Sequence, residues 1–592
     1  MVPSRRLLLL PLLCLIGCAR RPAGESFTPL AAEFVYASLA LSPVSATAAG
    51  YHAHQGIRLD EQLDDFSAEG IERQRRFYRE FEQRLARARR EALSPEDRAD
   101  ADILAGQATL GLLDLDEFRS WRHNPTLYVE LIGKALFNPH VLDYAPRPER
   151  LRHIMARMEK IPSLLEQARR NLESAPEIWT TVALEENAGN IDLIDKVLRA
   201  GLPDPLRDSY DRAARPALAA LRAFQDYLGQ DLAQRAGRDW RLGKEAYVRK
   251  FRLALATDLA PEAVLAAAEA DLRAVRARML ELALPLHRQT HPAHQDHAEL
   301  AGAERENRVI GETLARIADR HATRQTYLPD ARRDLAEARR FVQQKGLLPL
   351  PPRDNLLVIE TPEFLRGVYA VGGFMSAPAL EPHLGAFYWV TPIPADWPAR
   401  RVESKLREYN FYKLKLLTIH EAMPGHYVQL EYANDLEPKA RRVLRAVFGN
   451  APYIEGWGQY STQIMLDQGY LDHSPELRLT FQKEELRVLA NAILDIRLHT
   501  LGMTDQQALD LMEKETFQER EEATAKLRRA KLSSCQLPTY FVGWRDWLRV
   551  REHYKQFRGA SYRLSEFNER ALQAGAVPLP ALARLLTGQP LP

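Results

Sequence analysis

The sequence predicts a mainly α-helical protein with a small β-sheet in its second half. Two observations favour this fold class. Apolar residues recur every three to four positions along six long segments, which is the spacing that places them on one face of a helix. Only two segments, both beyond residue 355, are short runs of aliphatic and aromatic residues of the kind that forms strands.

The predicted helices lie in the first half of the chain, where Ala, Leu, Arg and Glu are abundant. Pro261 begins the last of them, since its missing N–H costs nothing in the first helical turn. Residues 290–308 follow and are rich in His and Glu. His291, His294 and His297 could bind a metal there, although we favour an exposed connection. The six helices are predicted at residues 71–89, 99–115, 151–172, 186–198, 213–228 and 261–284.

A proline-rich segment at residues 346–354 marks a boundary or linker. It separates an N-terminal, mainly helical region, residues 18–345, from a C-terminal region, residues 346–592. The two predicted strands, at residues 356–360 and 386–390, follow this segment. A helix over residues 402–422 then leads into the most informative part of the chain.

The candidate chemistry is concentrated in residues 418–429, Thr-Ile-His-Glu-Ala-Met-Pro-Gly-His-Tyr-Val-Gln. Catalytic zinc takes neutral imidazoles as ligands, and a nearby carboxylate can accept a proton from water at the metal. His420 and His426 are the candidate ligands, and Glu421 is the candidate base. Glu455 could be the third ligand. Two His and one Glu around an open fourth position form the ligand set of a thermolysin-type zinc hydrolase.

The two histidines lie six residues apart instead of the four found in His-Glu-x-x-His. At roughly 100° per residue they would point about 120° apart on a regular helix. Pro424 lacks an N–H and would clash with the His420 carbonyl, and Gly425 accepts unusual backbone conformations. We therefore predict that Pro424-Gly425 breaks the helix and turns His426 toward His420.

These motifs resemble the bacterial domain-of-unknown-function family 885 (DUF885), which is grouped with the gluzincin-like metallopeptidases. The resemblance extends over nearly the whole chain that follows the leader. It rests on residues 420–426 with Gln429, Glu455-Gly-Trp457, residues 46–47, 50–67, 385–388 with Thr391, 495–499, 536–540 with Gly543, 567–570 and 575–579.

The resemblance implies a large helical zincin-like fold with a small β-sheet next to the metal-binding helix. Residues 346–592 would then be the catalytic region, packed with the N-terminal region around a cleft and holding one zinc ion. The chain departs from the family pattern at Tyr427, Asn491, Arg497 and Ser534-Cys535. These positions lie where substrate would be held, so they put specificity in question more than chemistry.

Other catalytic roles combine this resemblance with general chemistry. The oxyanion of a hydrolytic intermediate needs a hydrogen-bond donor. Tyr540 and His499 are the candidates, with core packing as the alternative for each. Asp495 could orient a ligand His. Arg497 or Arg487 could bind a substrate carboxylate. Gln429 and Gln536, which belong to the family segments, could support a ligand or contact substrate.

The predicted activity is zinc-dependent hydrolysis of short peptides. Glu421 would take the proton of the attacking water and pass it to the leaving amine. Two alternatives remain open. One is a zinc amidase acting on cell-wall fragments. The other is a non-catalytic helical lipoprotein that binds peptides or envelope partners.

Residues 1–17 are predicted to be a lipoprotein signal peptide. Arg5-Arg6 precede an apolar run that is too short to span a membrane. The run ends in Leu-Ile-Gly-Cys18, which resembles a lipobox, so Cys18 would be lipidated and anchor the protein to the membrane. Ala19 follows, which favours an outer-membrane location facing the periplasm. The alternative is an ordinary secretory signal with a chance cysteine.

Composition narrows the remaining possibilities. The 81 basic and 79 acidic residues nearly balance, so no nucleic-acid partner is expected. Cys535 would be the single cysteine left after Cys14 is removed and Cys18 is lipidated, so no internal disulfide is predicted. The oligomeric state does not follow from the sequence.

Overall fold

The computed structural model describes residues 26–87, 93–235, 237–293, 296–363, 366 and 371–592. The predicted signal peptide, Cys18 and His294 lie outside these ranges. The protein is 71% helical, which confirms the mainly α-helical prediction. Along the described ranges, every helix is too short or too polar to cross a membrane.

The N-terminal region contains fourteen of the helices that the described residues form. They are α1 (Phe27–Leu41), α2 (Pro43–Ala48), α3 (Ala68–Arg87), α4 (Pro95–Leu113), α5 (Ser120–His123), α6 (Thr126–Val141), α7 (Arg147–Met158), α8 (Ile161–Asn171), α9 (Glu177–Asp192), α10 (Arg207–Asp226), α11 (Lys244–Leu255), α12 (Pro261–Thr290), α13 (Gly302–Ala318) and α14 (Tyr327–Lys345).

The C-terminal region contains the elements that surround the candidate metal centre. Its helices are α15 (Ala399–Glu408), α16 (Phe411–Glu421), α17 (His426–Ala433), α18 (Lys439–Val447), α19 (Ala451–Asp467), α20 (Pro475–Thr500), α21 (Asp505–Asp510), α22 (Arg520–Leu532), α23 (Pro538–Arg558), α24 (Leu564–Gln573) and α25 (Leu579–Thr587).

Two of the helices predicted as single segments are interrupted. The predicted helix at residues 151–172 divides into α7 and α8, because Pro162 lies in the first turn of α8 and cannot continue a helix from α7. The predicted helix at residues 402–422 divides into α15 and α16. Asn410 begins α16 by accepting hydrogen bonds from the backbone N–H groups of Tyr412 and Lys413.

Five short strands form two sheets within the described residues. A two-stranded antiparallel sheet joins β1 (Ala53–His54) and β2 (Ile57–Arg58). The second sheet has the order β3-β5-β4, with β3 (Leu356–Glu360) parallel to β5 (Ala386–Val390) and β4 (Gly372–Met375) antiparallel to it. Both predicted strands are confirmed. Strands β1, β2 and β4, which are at most four residues long, were not predicted.

Strand β5 lies between two hydrophobic cores. All five of its residues are buried. Tyr388 belongs to a large core built by helices from both regions of the chain, while Phe387 and Trp389 belong to a second core centred on α6 to α10. Successive strand residues point to opposite faces of a sheet, so β5 contributes to both cores at once. The large core contains residues of both regions, which agrees with the two regions packing together as one unit. The division of the chain at residue 345 remains a prediction.

The candidate metal centre

The helix break at Pro424-Gly425 is present. Helix α16 ends at Glu421 and α17 begins at His426. The Gly425 N–H donates to the Ile419 carbonyl over 3.0 Å, which closes a tight turn between the two helices. A Cβ atom at Gly425 would lie 1.8 Å from the His420 carbonyl oxygen, so only glycine fits there. The predicted break in the helix between His420 and His426 is therefore confirmed.

Trp457 on α19 holds this turn in place. Its indole N–H lies 2.9 Å from the Pro424 carbonyl oxygen and 3.2 Å from that of Gly425, and the side chain is fully buried. Glu455 precedes Trp457 by two residues on the same helix. The tryptophan therefore fixes the turn relative to the helix that carries the third candidate ligand.

The three candidate ligands converge. The Glu455 Oε2 atom lies 3.7 Å from His420 Nε2 and 3.5 Å from His426 Nε2. One ligand atom from each residue lies within 4.8 Å of the others. The imidazole rings are nearly perpendicular, with centroids 4.6 Å apart. Ligand atoms of a tetrahedral zinc with bonds of about 2.0–2.1 Å lie about 3.3 Å apart, so the cluster fits such an ion after small side-chain movements.

The electrostatics of the cluster also suit a cation. Burial alone would raise the pKa of Glu455, but the imidazoles of His420 and His426 hold it well below its usual range. The Glu455 Oε2 atom is buried and accepts no hydrogen bond within the described residues. An anionic oxygen that faces two imidazoles without a hydrogen bond is a natural metal ligand.

His420 fits its position because Gly458 has no side chain. A Cβ atom at Gly458 would lie 2.5–2.9 Å from three atoms of the His420 ring. Gln459, the next residue, places its Nε2 atom 3.5 Å from His420 Nδ1. Glu421, the candidate base, ends α16 beside His420 and lines the adjoining cleft.

A close contact between two helices adds Tyr540 to this group. A Cβ atom at Gly456 would lie 2.4 Å from the Gly543 carbonyl carbon, and one at Gly543 would lie 2.0 Å from the Pro452 carbonyl oxygen. The backbones of α19 and α23 therefore touch. Tyr540, one turn before Gly543, stacks beside the His420 ring with centroids 6.4 Å apart. Burial raises the pKa of Tyr540, which keeps its hydroxyl protonated as a donor.

Arg529 on α22 completes this side of the site. Its Nη2 atom lies 3.4 Å from the Tyr540 hydroxyl and 3.2 Å from the Gln536 Oε1 atom. The structure thus brings Gln536 to the site through Arg529. The cleft has a volume of about 600 Å³ and includes His420, Glu421 and Tyr540 in its lining.

Comparison with known proteins identifies the family. Residues 43–586 match the family described as "Bacterial protein of unknown function (DUF885)". The chain belongs to this family. A search of curated proteins finds no match for this DUF885 protein.

Two solved structures share its fold. A "putative lipoprotein of unknown function" from Shewanella oneidensis is 29% identical, with a TM-score of 0.76 and coverage of 95% of this chain and 99% of the other. A "putative lipoprotein" from Colwellia psychrerythraea is 18% identical, with a TM-score of 0.77 and coverage of 96% and 99%.

Two predicted site residues of this DUF885 protein lie elsewhere. His499 donates from Nε2 to the Ser533 carbonyl over 3.0 Å, and its Nδ1 accepts from the Leu242 N–H over 3.3 Å. Asp495 accepts hydrogen bonds from the Tyr247 hydroxyl and the Cys535 N–H. We correct both assignments. His499 has no N–H left for an oxyanion, and Asp495 joins α20 to α11 instead of orienting a ligand histidine.

The predicted carboxylate-binding arginines are already paired. The Arg497 Nη2 atom lies 2.6 Å from the Glu269 Oε1 atom. Arg487 lines the cleft but binds Glu522. Gln429 is buried on α17 one turn beyond His426, and within the described ranges its side-chain amide has no hydrogen-bond partner. The structure therefore gives no support to the predicted roles of Arg497 and Arg487 at a substrate carboxylate.

Two basic residues that line the cleft were not predicted from the sequence. Lys526 and Arg529 lie three residues apart on α22. Within the described part of the chain neither forms an ion pair with a carboxylate. Their spacing places them on one helix face, but only the fold shows that this face meets Tyr540.

Proposed function

We propose that this protein is a zinc-dependent metallopeptidase that hydrolyses short peptides. This proposal rests on the convergence of His420, His426 and a Glu455 oxygen that accepts no hydrogen bond within the described residues, at the wall of a cleft. Two imidazoles and one carboxylate are the protein ligands of a large class of zinc peptidases, which leave one coordination position open.

The chain's own residues divide the chemistry. A zinc ion held by His420, His426 and Glu455 would supply Lewis-acid activation of water and of the scissile carbonyl. Glu421 accepts the proton of the attacking water and delivers it to the leaving amine, because it follows a ligand directly and faces the cleft. The Tyr540 hydroxyl, with Arg529 behind it, donates to the carbonyl oxygen as that oxygen gains negative charge.

The cleft favours a small anionic substrate over a folded protein. Its volume of about 600 Å³ is within the usual range for small-molecule sites. Burial, with Arg487 and Arg529 nearby, lowers the pKa of Lys526 well below its usual value. A bound carboxylate would restore the charge on that lysine. We propose that Lys526 and Arg529 recognise the C-terminal carboxylate of a short peptide.

We place this activity in the cell envelope. The two structural relatives carry the description "putative lipoprotein". The sequence Leu-Ile-Gly-Cys18 resembles a lipobox. The proposal is a lipid-anchored protein of the outer membrane that faces the periplasm.

Replacing Glu421 by glutamine tests the function. Glu421→Gln should retain zinc and lose hydrolysis of a pool of short peptides by about 10²–10⁴-fold, because the general base is removed and the ligands are not. The matched control is Glu403→Gln, at an exposed position on α15. Zinc content and turnover are measured on the same samples.

The results separate the alternatives. Zinc-free wild-type protein under metal-replete conditions would exclude the catalytic proposal. Zinc-loaded protein that binds peptides without cleaving them would favour the non-catalytic lipoprotein. Cleavage of cell-wall fragments alone would favour the zinc amidase.

A further inference from the structure

A second group of metal-ligating side chains lies where α12 meets α13. His287 lies in the last turn of α12, and His291 is the residue that ends the helix, where its N–H donates to the His287 carbonyl over 2.7 Å. Glu312 faces them from α13, and His297 reaches the group from the connection between the two helices. One ligand atom from each of His287, His291 and Glu312 lies within 4.8 Å of the others.

The distances within this group are short. The Glu312 Oε2 atom lies 3.0 Å from His287 Nε2 and 3.0 Å from His297 Nε2. The His287 and His291 rings stack with centroids 4.7 Å apart. One carboxylate oxygen therefore lies within hydrogen-bonding distance of two imidazoles.

Asp296 supports the group from outside. Its Oδ1 atom lies 3.2 Å from His287 Nδ1, and its Oδ2 atom pairs with Arg288. Both His287 and Asp296 are buried. A histidine that binds a metal through one nitrogen usually gives its other nitrogen to a carboxylate, which fixes the ring orientation. The Asp296–His287 pair has this arrangement.

The backbone directs these side chains inward. Asp296 and His297 both adopt left-handed conformations, with φ of 51° and 52°. Such values are uncommon for residues other than glycine and persist where the surroundings require them. Here they turn two consecutive side chains of the connection toward the helix pair.

We propose that His287, His291 and Glu312, joined by His297, form a second binding site for one divalent transition-metal ion. Imidazole with a single carboxylate suits Zn²⁺, Ni²⁺, Co²⁺ or Cu²⁺, whereas Ca²⁺ and Mg²⁺ prefer oxygen ligands. The site shares no residue with the His420 cluster and stands independently of the proposed peptidase activity. Its ion would join the end of α12, the connection and α13, which makes it structural.

Counting bound ions tests this proposal. The mature protein is loaded with Zn²⁺, freed of excess metal and examined by native mass spectrometry. His291→Ala and Glu312→Gln should each hold one ion fewer than wild type. His321→Ala is the matched control, because His321 pairs with Glu403 outside the cluster and its loss should leave the count unchanged. Far-ultraviolet circular dichroism confirms that each variant is folded.

His420→Ala separates this site from the candidate catalytic centre. Its loss of an ion should add to that of His291→Ala, so the double variant holds two fewer than wild type when both clusters bind. If the His420 cluster binds nothing, wild type should hold one ion and His291→Ala none. Equal ion counts in wild type, His291→Ala and Glu312→Gln would overturn the proposal.

Discussion

At the scale of single residues, the candidate metal centre depends on a glycine, because there is no room for a Cβ atom at that position. Gly458 lies on α19 beneath the His420 ring, and any Cβ there would meet that ring at 2.5–2.9 Å. The position of the candidate ligand His420 is thus set partly by a neighbour that makes no hydrogen bond to it. Such neighbours shape metal affinity without being ligands.

We predict that Gly458→Ala displaces the His420 ring and weakens zinc binding by about 10-fold or more, as disturbed ligand supports do. Zinc affinity is measured by competition with a chelator. Gly106→Ala on α4 is the control, because a Cβ there meets nothing within 4 Å. That change should leave zinc affinity unaltered and raise stability by about 0.5–1 kcal/mol. Equal zinc affinities in the two variants would contradict the prediction.

Lys526 provides a prediction about substrate recognition. Lys526→Met should raise KM for a peptide with a free C-terminus by about 10-fold or more, because a charge-assisted hydrogen bond of about 1.5–3 kcal/mol is lost. KM for the same peptide with an amidated C-terminus should not change. Lys531→Met on the same helix is the control, since Lys531 pairs with Asp505. An equal effect on both peptides would remove Lys526 from carboxylate recognition.

Glu186 on α9 gives a pH prediction. Burial first, and then the charge of Glu130, raise its pKa to about 8, and neither carboxylate oxygen has a hydrogen-bond partner within the described residues. The folded state therefore binds a proton more tightly than the unfolded state. The contribution to stability is complete below about pH 4.5 and is lost as the pH rises through about 8.

Glu186→Gln keeps the shape of the side chain and removes this titration. The wild-type Tm should fall more steeply than the Tm of Glu186→Gln between pH 6 and pH 8.5. Thermal unfolding followed by circular dichroism at both pH values measures the difference. Parallel changes in the two proteins would show that Glu186 does not titrate in this range.

At the scale of elements, the turn between α16 and α17 is held by another helix. The Trp457 N–H serves two carbonyl groups of the turn. Two helices separated by a short break would otherwise rotate relative to each other. Helix α19 therefore supplies both the candidate ligand Glu455 and the group that fixes the angle between the two histidine-bearing helices.

We predict that Trp457→Phe lowers stability by about 1–3 kcal/mol, because buried carbonyl groups lose their donor. It should also weaken zinc binding. Trp544→Phe is the matched control. Its indole N–H donates to Gln463 instead of to the turn, so it should lower stability while zinc affinity stays the same. Denaturant unfolding and zinc competition measure the two effects, and unchanged zinc affinity in Trp457→Phe would refute the idea.

Local signals in the sequence predicted some elements and not others. Pro424-Gly425 indicated the helix break, because its effect is confined to a few residues. Pro162 and Asn410 carry equally local signals for helix breaks, but the spacing of apolar residues does not show them. Asp495 and His499 were misjudged for a different reason. Their partners, Tyr247, Leu242 and Ser533, are distant in sequence, and only tertiary packing brings them together.

At the scale of the whole molecule, the sheet joins the two cores. The Tyr388 hydroxyl on β5 lies 3.3 Å from the Thr418 Oγ1 atom on α16, two residues before His420. Phe387 and Trp389 on the opposite face pack into the other core. The mainly α-helical class followed from periodicity, yet this arrangement could not, because periodicity does not show which face of a strand meets which group of helices.

The contact between α19 and α23 bears on how this protein could change over evolutionary time. The backbones of the two helices touch at Gly456 and Gly543. The distance between the helices is therefore set there by main-chain atoms and not by side chains. Side chains elsewhere along the pair can then be exchanged without moving Glu455 away from Tyr540. Sequence drift in the surrounding core would leave the spacing of the site intact, whereas a side chain at either glycine would force this helix pair apart.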